Sequence, residues 1–377
     1  LLYRHPLKIM QHSAPTTALG SEHSILVINP GSTSTKVAVY VGENPLCVST
    51  IRHSDEELSQ FQCIEDQRDF RRQLVLDWLH DNHIPLAFDA IIGRGGLIKP
   101  IASGVYKVNS KMCHETYAAM RKHACNLGCI IAYELANMQP GGACPAFIAD
   151  PVTVDELLPE ARISGSPLMP RLSIWHALNQ RAIAHRYAKE IGRRYEDLNL
   201  IVAHLGGGIT VAAHQHGRAV DTNNGLDGEG PFSPERAGTL PAADLIHLCY
   251  SGRYTEDQLK KRVTGQAGLM AHLGTTDILR IMQMIEQGDD HARLLIDAMI
   301  YHIAKAIAAQ GAVLCGEVDA ILLTGGVAYC DYITQGITRR VQFIAPVHIF
   351  PGEDEMQALA LNALSVLRGE CEAKEYE

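Results

Sequence analysis

The strongest constraint on the fold is a pattern that occurs twice. Ile25-Leu26-Val27-Ile28 is an apolar run ending in Asn29-Pro30-Gly31-Ser32-Thr33-Ser34-Thr35-Lys36, and a β-rich run, Val37 to Val41, follows. Gly42-Glu43-Asn44-Pro45 then turns the chain into a third run from Leu46. Strand, glycine-containing turn, strand, turn and strand make an antiparallel meander. The same order returns 175 residues later, with His204 falling on Asn29, Gly206 on Gly31 and Gly217 on Gly42. A repeat on this scale implies a duplicated α/β unit. With 377 residues, each copy has enough chain for its own core.

The remaining segments fill in around the two meanders. Residues 55–83 and 111–138 have helical period, the first with Phe70, Leu74, Trp78 and Leu79 on one face. Short strands at Asp89 to Ile92 and at Ala146 to Ala149 end in Gly93-Arg94-Gly95-Gly96 and in Asp150-Pro151. The second half continues with helices around 242–263 and 291–311, strand Ala320 to Leu323 and the turn Thr324-Gly325-Gly326. A last strand, Val347 to Phe350, leads through Glu353 and Glu355 into helix 356–368. The expected organisation is a flexible extension over residues 1–24, one domain over 25–185 and another over 186–377. The last helix has the option of packing back on the first domain.

Composition removes several function classes. A formal charge of −9 leaves no cationic stripe for non-specific nucleic-acid binding, and the basic pairs such as Arg71-Arg72 read as solvated faces. Every apolar run is broken well before the length of a membrane span. Ten cysteines include no Cys-x-x-Cys pair, and Cys47, Cys249, Cys315 and Cys330 lie in apolar runs, as buried free thiols do. Reduced cysteines and an N-terminus lacking a signal-peptide core point to the cytoplasm.

Three strand-to-glycine turns, at 29–36, 204–208 and 324–326, could let backbone N–H groups approach an anion, and Ser32, Ser34 and Lys36 add donors and a cation to the first. Any one alone is only a hairpin. Neither a P-loop nor a dinucleotide-binding glycine pattern is present. Arg94 and Arg236 sit among small residues in glycine-rich loops, where a guanidinium fork suits carboxylate or phosphate. Asp150, at a strand end, reads as a turn-forming residue or a metal-linked carboxylate, and His176 lies near a helix start.

Val27 to Lys36 closely resembles the opening motif of the acetate kinase and butyrate kinase family. These are short-chain carboxylate kinases with duplicated ribonuclease-H-like domains, an architecture shared with actin, heat-shock chaperones and sugar kinases. Gly93 to Pro100, Trp175 to Gln180 and Asn223 to Gly238 resemble the butyrate kinase branch, and the likeness runs from about Ile25 to the C-terminus. It implies an α/β fold of two actin-like ATPase domains, each a mixed five-stranded sheet flanked by helices. It implies ATP/ADP and Mg²⁺ as cofactors, a short-chain carboxylate or acyl phosphate as small-molecule partner, no nucleic acid or membrane, and a homodimer or larger homo-oligomer.

By the same resemblance, Asn29 contacts magnesium and Ser32, Ser34 and Lys36 the phosphates. Arg94 and Arg236 clamp the carboxylate and the phosphoryl group, Asp150 is the catalytic aspartate, and His176 hydrogen-bonds the transition state. His204, Gly206, Gly207 and Gly208 form the second phosphate loop, with Gly207 where acetate kinases have Asn. Asp277, Gly325, Gly326 and Val327 align with adenosine-contacting segments, although the Gly-Glu-Asn of acetate kinases is missing. Glu355 matches the C-terminal magnesium glutamate, with Glu353 as rival.

The chemistry agrees with these roles. A short carboxylate, with a pKa of about 4, attacks ATP without a general base and chiefly needs relief from anion–anion repulsion. Two arginines, Mg²⁺ and a protonated or donor His176 would supply it. Asp150 as a base is then redundant, and is expected to orient Arg94 or the metal's water shell. Asp150→Asn should on that expectation lower kcat in a magnesium-dependent way. The resemblance implies reversible ATP-dependent phosphorylation of butyrate, with isobutyrate or another branched acid, propionate or acetate as alternative substrates. A sugar kinase or an actin-like or chaperone-like ATPase is the alternative of a different class.

Overall fold

The computed structural model describes residues 22–119 and 123–377. The extension expected over residues 1–24 therefore lies, except for Glu22 to Ser24, outside the described residues. The first meander is β1 (Ser24–Pro30), β2 (Ser34–Val41) and β3 (Asn44–Arg52). It is extended by β4 (Ala90–Arg94), β5 (Val105–Lys107) and β6 (Ala146–Ala149). The second meander is β7 (Asn199–Leu205), β8 (Ile209–Gln215) and β9 (Arg218–Thr222), extended by β10 (Ala320–Gly325) and β11 (Val347–Pro351).

The sheet orders are β3-β2-β1-β4-β6-β5 and β11-β10-β7-β8-β9. In each, the meander is antiparallel, and its first strand starts a parallel run, β1-β4-β6 or β7-β10-β11. The duplication reaches local detail. A bulge falls at Val39/Tyr40 in one copy and at Ala213/His214 in the other. The first sheet exceeds the expected five strands because β5 folds back antiparallel on β6 and covers its edge.

Strand alternation sorts each sheet's residues onto two faces. Leu26, Ile28, Val37, Val39 and Ile91 face the helices Arg68–Asp81 and Asn126–Asn137. Ile25, Val27, Ala38, Ala90 and Ile92 face Met356, Leu359, Ala360 and Ala363 of the helix Glu355–Leu367. In the second sheet Ile201, Ala203 and Leu323 pack on the helix Asp290–Val313. Leu200, Val202 and Leu322 pack on Ile183, Ala184 and Tyr187 of the helix Ala177–Glu190. The chain's last helix thus covers the first sheet, the helix preceding β7 covers the second, and the two helices touch between them.

Several local expectations are corrected. The helical period over 55–83 resolves into short and long helices, and the buried face of Arg68–Asp81 is Arg71, Val75 and Leu79, one residue round from Phe70 and Leu74. Arg71 is fully buried, not solvated. Residues 111–138 divide into Ser110–Ala118 and Asn126–Asn137. Cys249 and Cys315 are exposed, Cys47 and Cys330 half-buried, and the buried thiols are Cys125 and Cys129. Among the described residues no helix is long and apolar enough to cross a membrane.

Leu359 is fully buried where the last helix meets β1 and β4. Leu359→Ala should cost about 2–5 kcal/mol of stability, read by urea unfolding, because the facing strands cannot collapse into the space.

Candidate active site

The first turn is braced from below by Arg71. Its guanidinium donates to the carbonyls of Gly31 (2.8 Å), Ser34 (3.1 Å) and Ser32 (3.2 Å), and to Thr35 Oγ1 (3.1 Å). Gln67 Oε1 accepts two further bonds from it. Burial pushes the Arg71 pKa down to about 10, still charged at neutral pH. The Gly31 and Ser32 carbonyls thus find their donor in Arg71, while the Ser34 carbonyl also accepts from Gly31 N–H at 2.7 Å and the Thr33 carbonyl from His53 N–H at 2.9 Å. Sequence pattern offered no signal for this, because an arginine in a basic pair reads as solvent-facing.

Glu355, at the first position of the last helix, ties that turn to the rest of the site. Its Oε2 accepts from Asn29 Nδ2 at 2.7 Å, and its Oε1 lies 2.6 Å from Arg94 Nη1. The arginine contact is ionic without hydrogen-bond alignment, leaving that buried N–H unpaired. Glu353 reaches the second turn, with Oε1 3.1 Å from His204 Nε2, and this bond holds its carboxyl below the usual range. The two rivals therefore serve different turns, Glu355 meeting Asn29 and Glu353 meeting His204.

Glycines make these approaches possible, but not uniformly for a ligand. A Cβ on Gly208 would lie 2.0 Å from the Arg236 guanidinium, and one on Gly206 3.0 Å from His204 Nε2. Gly325 has φ +92° and packs against the end of β7, where a Cβ would lie 2.3 Å from the Leu205 carbonyl. The second and third turns are thus pressed together. The glycines around Arg94 have another purpose: Gly93 gives room to Gly128, Gly95 to Pro151 and Gly96 to Asn126. They seat a helix and a loop, not a ligand.

One cavity of about 280 Å³ collects Asn29, Gly31, Ser34, Lys36, Arg94, His176, Arg236 and Glu355. Its remaining wall is largely apolar, with Leu97, Val152, Ile174, Trp175 and Leu226. His176 stacks on His204, ring centroids 3.8 Å apart, and its Nδ1 is 2.9 Å from Thr210 Oγ1. Burial, then the neighbouring His204 and the two arginines, hold the His176 pKa well below its ordinary value. The direction of this shift favours the neutral ring, and with it the donor option for His176 over the protonated one. Burial also lowers the pKa of Arg236, whose guanidinium donates to the Gly225 carbonyl.

Other expected residues stand apart from the cavity lining. Asp150 has φ +38° and both carboxylate oxygens engaged: Oδ1 accepts from Gly104 N (2.7 Å) and Oδ2 from Arg181 Nε (3.0 Å). It therefore grips Arg181, not Arg94. Burial opposes the Arg181 charge, but Asp150 overcomes it and raises that pKa. Asp277 caps the helix Ile278–Glu286 by accepting from the amides of Leu279 and Arg280. Val327 packs its side chain into the core on the second sheet, and Gly326 stands beside it in open space. Ser32 contributes its carbonyl to Arg71.

Comparison with known proteins gives the family and the fold. Residues 173–343 match the acetokinase family. A probable butyrate kinase of Bacteroides thetaiotaomicron is 63% identical over 353 residues, 94% of this chain and 99% of that protein. A probable butyrate kinase of Phocaeicola vulgatus is 50% identical over 93% of this chain and 99% of its own. The crystal structure of Porphyromonas gingivalis acetate kinase shares the fold with a TM-score of 0.75 at 18% identity, covering 92% of this chain and 100% of that one. A propionate kinase from Francisella tularensis shares it with a TM-score of 0.71 at 17% identity, over 90% and 98%. The chain belongs to the acetokinase family of short-chain carboxylate kinases.

Two outcomes follow from the site's electrostatics. Because both oxygens of Asp150 are committed, Asp150→Asn should leave the buried Arg181 without its counter-charge, keeping only neutral partners such as the Gly217 carbonyl. The expected cost is about 3 kcal/mol by urea unfolding, with a loss of kcat that does not change with magnesium concentration; a magnesium-dependent loss would restore the water-shell role. Burial lowers six histidines below 6.5: His53 to about 4, His214 to about 3, and also His123, His176, His185 and His302. The unfolded chain binds these protons first, so stability is full above pH 6.5 and falls as pH drops, by up to about 1.4 kcal/mol per pH unit for each of His53, His176 and His214. Unfolding curves between pH 7 and 5 should show the fall, and kcat should show no ionisation near 6.5.

Proposed function

We propose that the chain catalyses reversible phosphoryl transfer between ATP and butyrate, giving ADP and butanoyl phosphate. The observation that supports this reading best is the composition of the cavity. Arg94, Arg236, Lys36 and a neutral His176 line the same space as Leu97, Val152, Ile174 and Leu226. Such a lining suits a ligand with an anionic head and a short apolar tail.

In this reading a carboxylate oxygen of butyrate forms a bond to the γ-phosphorus of ATP. The bond from that phosphorus to the β,γ-bridging oxygen breaks, and ADP leaves with the electron pair. No proton has to move, so no general base is required and no phosphoenzyme forms. Arg94, Arg236 and Lys36 offset the repulsion between two anions, and the His176 N–H meets an oxygen of the transferring group. Ser34, Lys36 and the amides of the first turn serve the phosphates. Asn29 and Glu355 offer an amide oxygen and a carboxylate, hard donors of the kind Mg²⁺ takes beside phosphate oxygens and water, so they fit that ion. When bound, the ion neutralises phosphate charge.

The same lining admits propionate or a branched acid as the second reading. A homodimer belongs to the proposal, supported by the exposed Ile163, Leu168 and Met169 and by the helix Ala242–Tyr250, none of whose residues is buried. The ten free cysteines suit a reducing cytoplasm.

The test is hydroxylamine trapping of the acyl phosphate with ATP and Mg²⁺ over acetate, propionate, butyrate, isobutyrate and valerate. The expected maximum of kcat/KM is at butyrate, with neighbours reduced roughly 10-fold, since one methylene is worth about 1–3 kcal/mol. Val152→Phe should shift the maximum toward shorter acids. Absence of hydroxamate with every acid would overturn the reading.

A further inference from the structure

His176 sits at the end of a line of buried polar side chains that the reaction as described does not use. Its Nδ1 is 2.9 Å from Thr210 Oγ1, and Gln180 Nε2 lies 2.8 Å from the same oxygen and 3.1 Å from the Thr210 backbone carbonyl. Gln180 Oε1 is 3.1 Å from His214 Nε2, and His214 Nδ1 is 2.6 Å from the Tyr195 hydroxyl. Gln180, His214 and Tyr195 are all buried.

The direction of every proton in this line follows from one atom. The Thr210 carbonyl can only accept, so the side of the Gln180 amide facing it is the NH₂ and the side facing His214 is the oxygen. His214 must then donate from Nε2. Being neutral, it accepts at Nδ1, where the Tyr195 hydroxyl donates. At the other end Thr210 Oγ1 receives a Gln180 N–H, and among the described residues its own proton has His176 Nδ1 as acceptor. A neutral imidazole that accepts at Nδ1 carries its proton on Nε2, and His176 Nε2 has no partner within the protein among the described residues. Reversing every bond would set the Gln180 oxygen against the Thr210 carbonyl, and reversing only the His176 bond would leave the Thr210 hydroxyl proton without an acceptor among the described residues.

We infer that Gln180, His214 and Tyr195 are positioning residues that act through Thr210 to hold His176 as the Nε2–H tautomer, making it a hydrogen-bond donor to the reacting anions and never an acceptor. The inference rests on the reading of this cavity as the phosphoryl-transfer site. The reverse tautomer would turn a lone pair toward phosphate and carboxylate oxygens. The line continues behind Tyr195, whose ring lies 5.5 Å from the Arg181 guanidinium that Asp150 grips. Asp150 thereby belongs to the scaffold of His176 without reaching the cavity.

The tautomer can be read directly in the full chain, without substrate, by ¹⁵N-histidine labelling and long-range ¹H–¹⁵N spectra, with His176 assigned by its loss in His176→Gln. The expected signature is an unprotonated Nδ1 and a protonated Nε2. Gln180→Glu replaces the donor facing Thr210 by an acceptor, so the threonine hydroxyl turns away and the His176 proton moves to Nδ1. Its kcat should fall roughly 10- to 100-fold, with KM for ATP within about three-fold, as expected for loss of one transition-state donor. Thr210→Ser should keep the wild-type ring signature and Thr210→Val should lose it. A wild-type His176 protonated on Nδ1, or on both nitrogens, overturns the inference whether or not any variant folds. The signature present with no acid giving hydroxamate would support the tautomer and sink the proposed reaction. Hydroxamate formed by a protein with the reversed tautomer would sink the inference alone.

Discussion

One carboxylate joins the parts of the molecule that are farthest apart in sequence. Glu355 opens the last helix, accepts from Asn29 at the end of β1 and faces Arg94 at the end of β4. A half-buried carboxylate is costly unless its oxygens find donors, and these two strand ends supply them. The helix that carries it covers the first sheet, so the contact fixes how the chain's end meets its beginning. The parallel strands β1, β4, β7, β10 and β11 all deliver their C-terminal residues to this region. That is where open α/β sheets bind ligands, because strand ends leave backbone groups free and loops diverge there.

Arginine and lysine bring positive charge to the site, and His176 is not the group that adds to it. Burial, the stacked His204 and two nearby guanidinium groups all disfavour the imidazolium form of His176. That is the useful outcome for a carboxylate nucleophile. An imidazolium beside it could give up its proton and blunt the attacking oxygen, whereas a neutral N–H only donates a hydrogen bond. In the proposed reaction Arg94 and Arg236 place positive charge next to the reactants.

The duplicated meander was legible because its signal is local: alternating strands, turn glycines and their order survive in any six-residue window. The cavity's charged residues were legible through motif resemblance, and the structure gathers Asn29, Ser34, Lys36, Arg94, His176, Arg236 and Glu355 into one lining. What was illegible is what depends on partners distant in sequence. Arg71 looked solvated because it stands in a basic pair with Arg72; only the tertiary fold brings four acceptors of the first turn over it. Asp150, redundant as a base, was expected to orient Arg94 or the metal's water shell, yet Arg181, from the helix that covers the second sheet, takes one of its oxygens and Gly104 N–H the other. Around Arg94 the glycines looked like ligand space, and they are packing space for Gly128, Pro151 and Asn126.

The two copies of the meander have diverged in where they keep their polar groups. The first keeps them in the turn, as Ser32, Ser34 and Lys36. The second has a bare turn, Gly206 to Gly208, and carries its polar groups inside the sheet as His204, Thr210 and His214. Thr210 and His214 share a face of β8, four residues and about 13 Å apart, while His176 and Gln180 are four residues apart at a helix start, a rise of only about 6 Å. The strand outruns the helix, so equal spacing in sequence cannot bring both pairs into register. Gln180 bridges the difference with its two-ended amide, donating to Thr210 on one side and accepting from His214 on the other. Asparagine is a methylene shorter and serine has no second end, so neither could span that mismatch with the same polarity. In the proposed reaction, the hydrogen bond that His176 would offer the substrate is therefore set by the difference in rise between a helix and a strand.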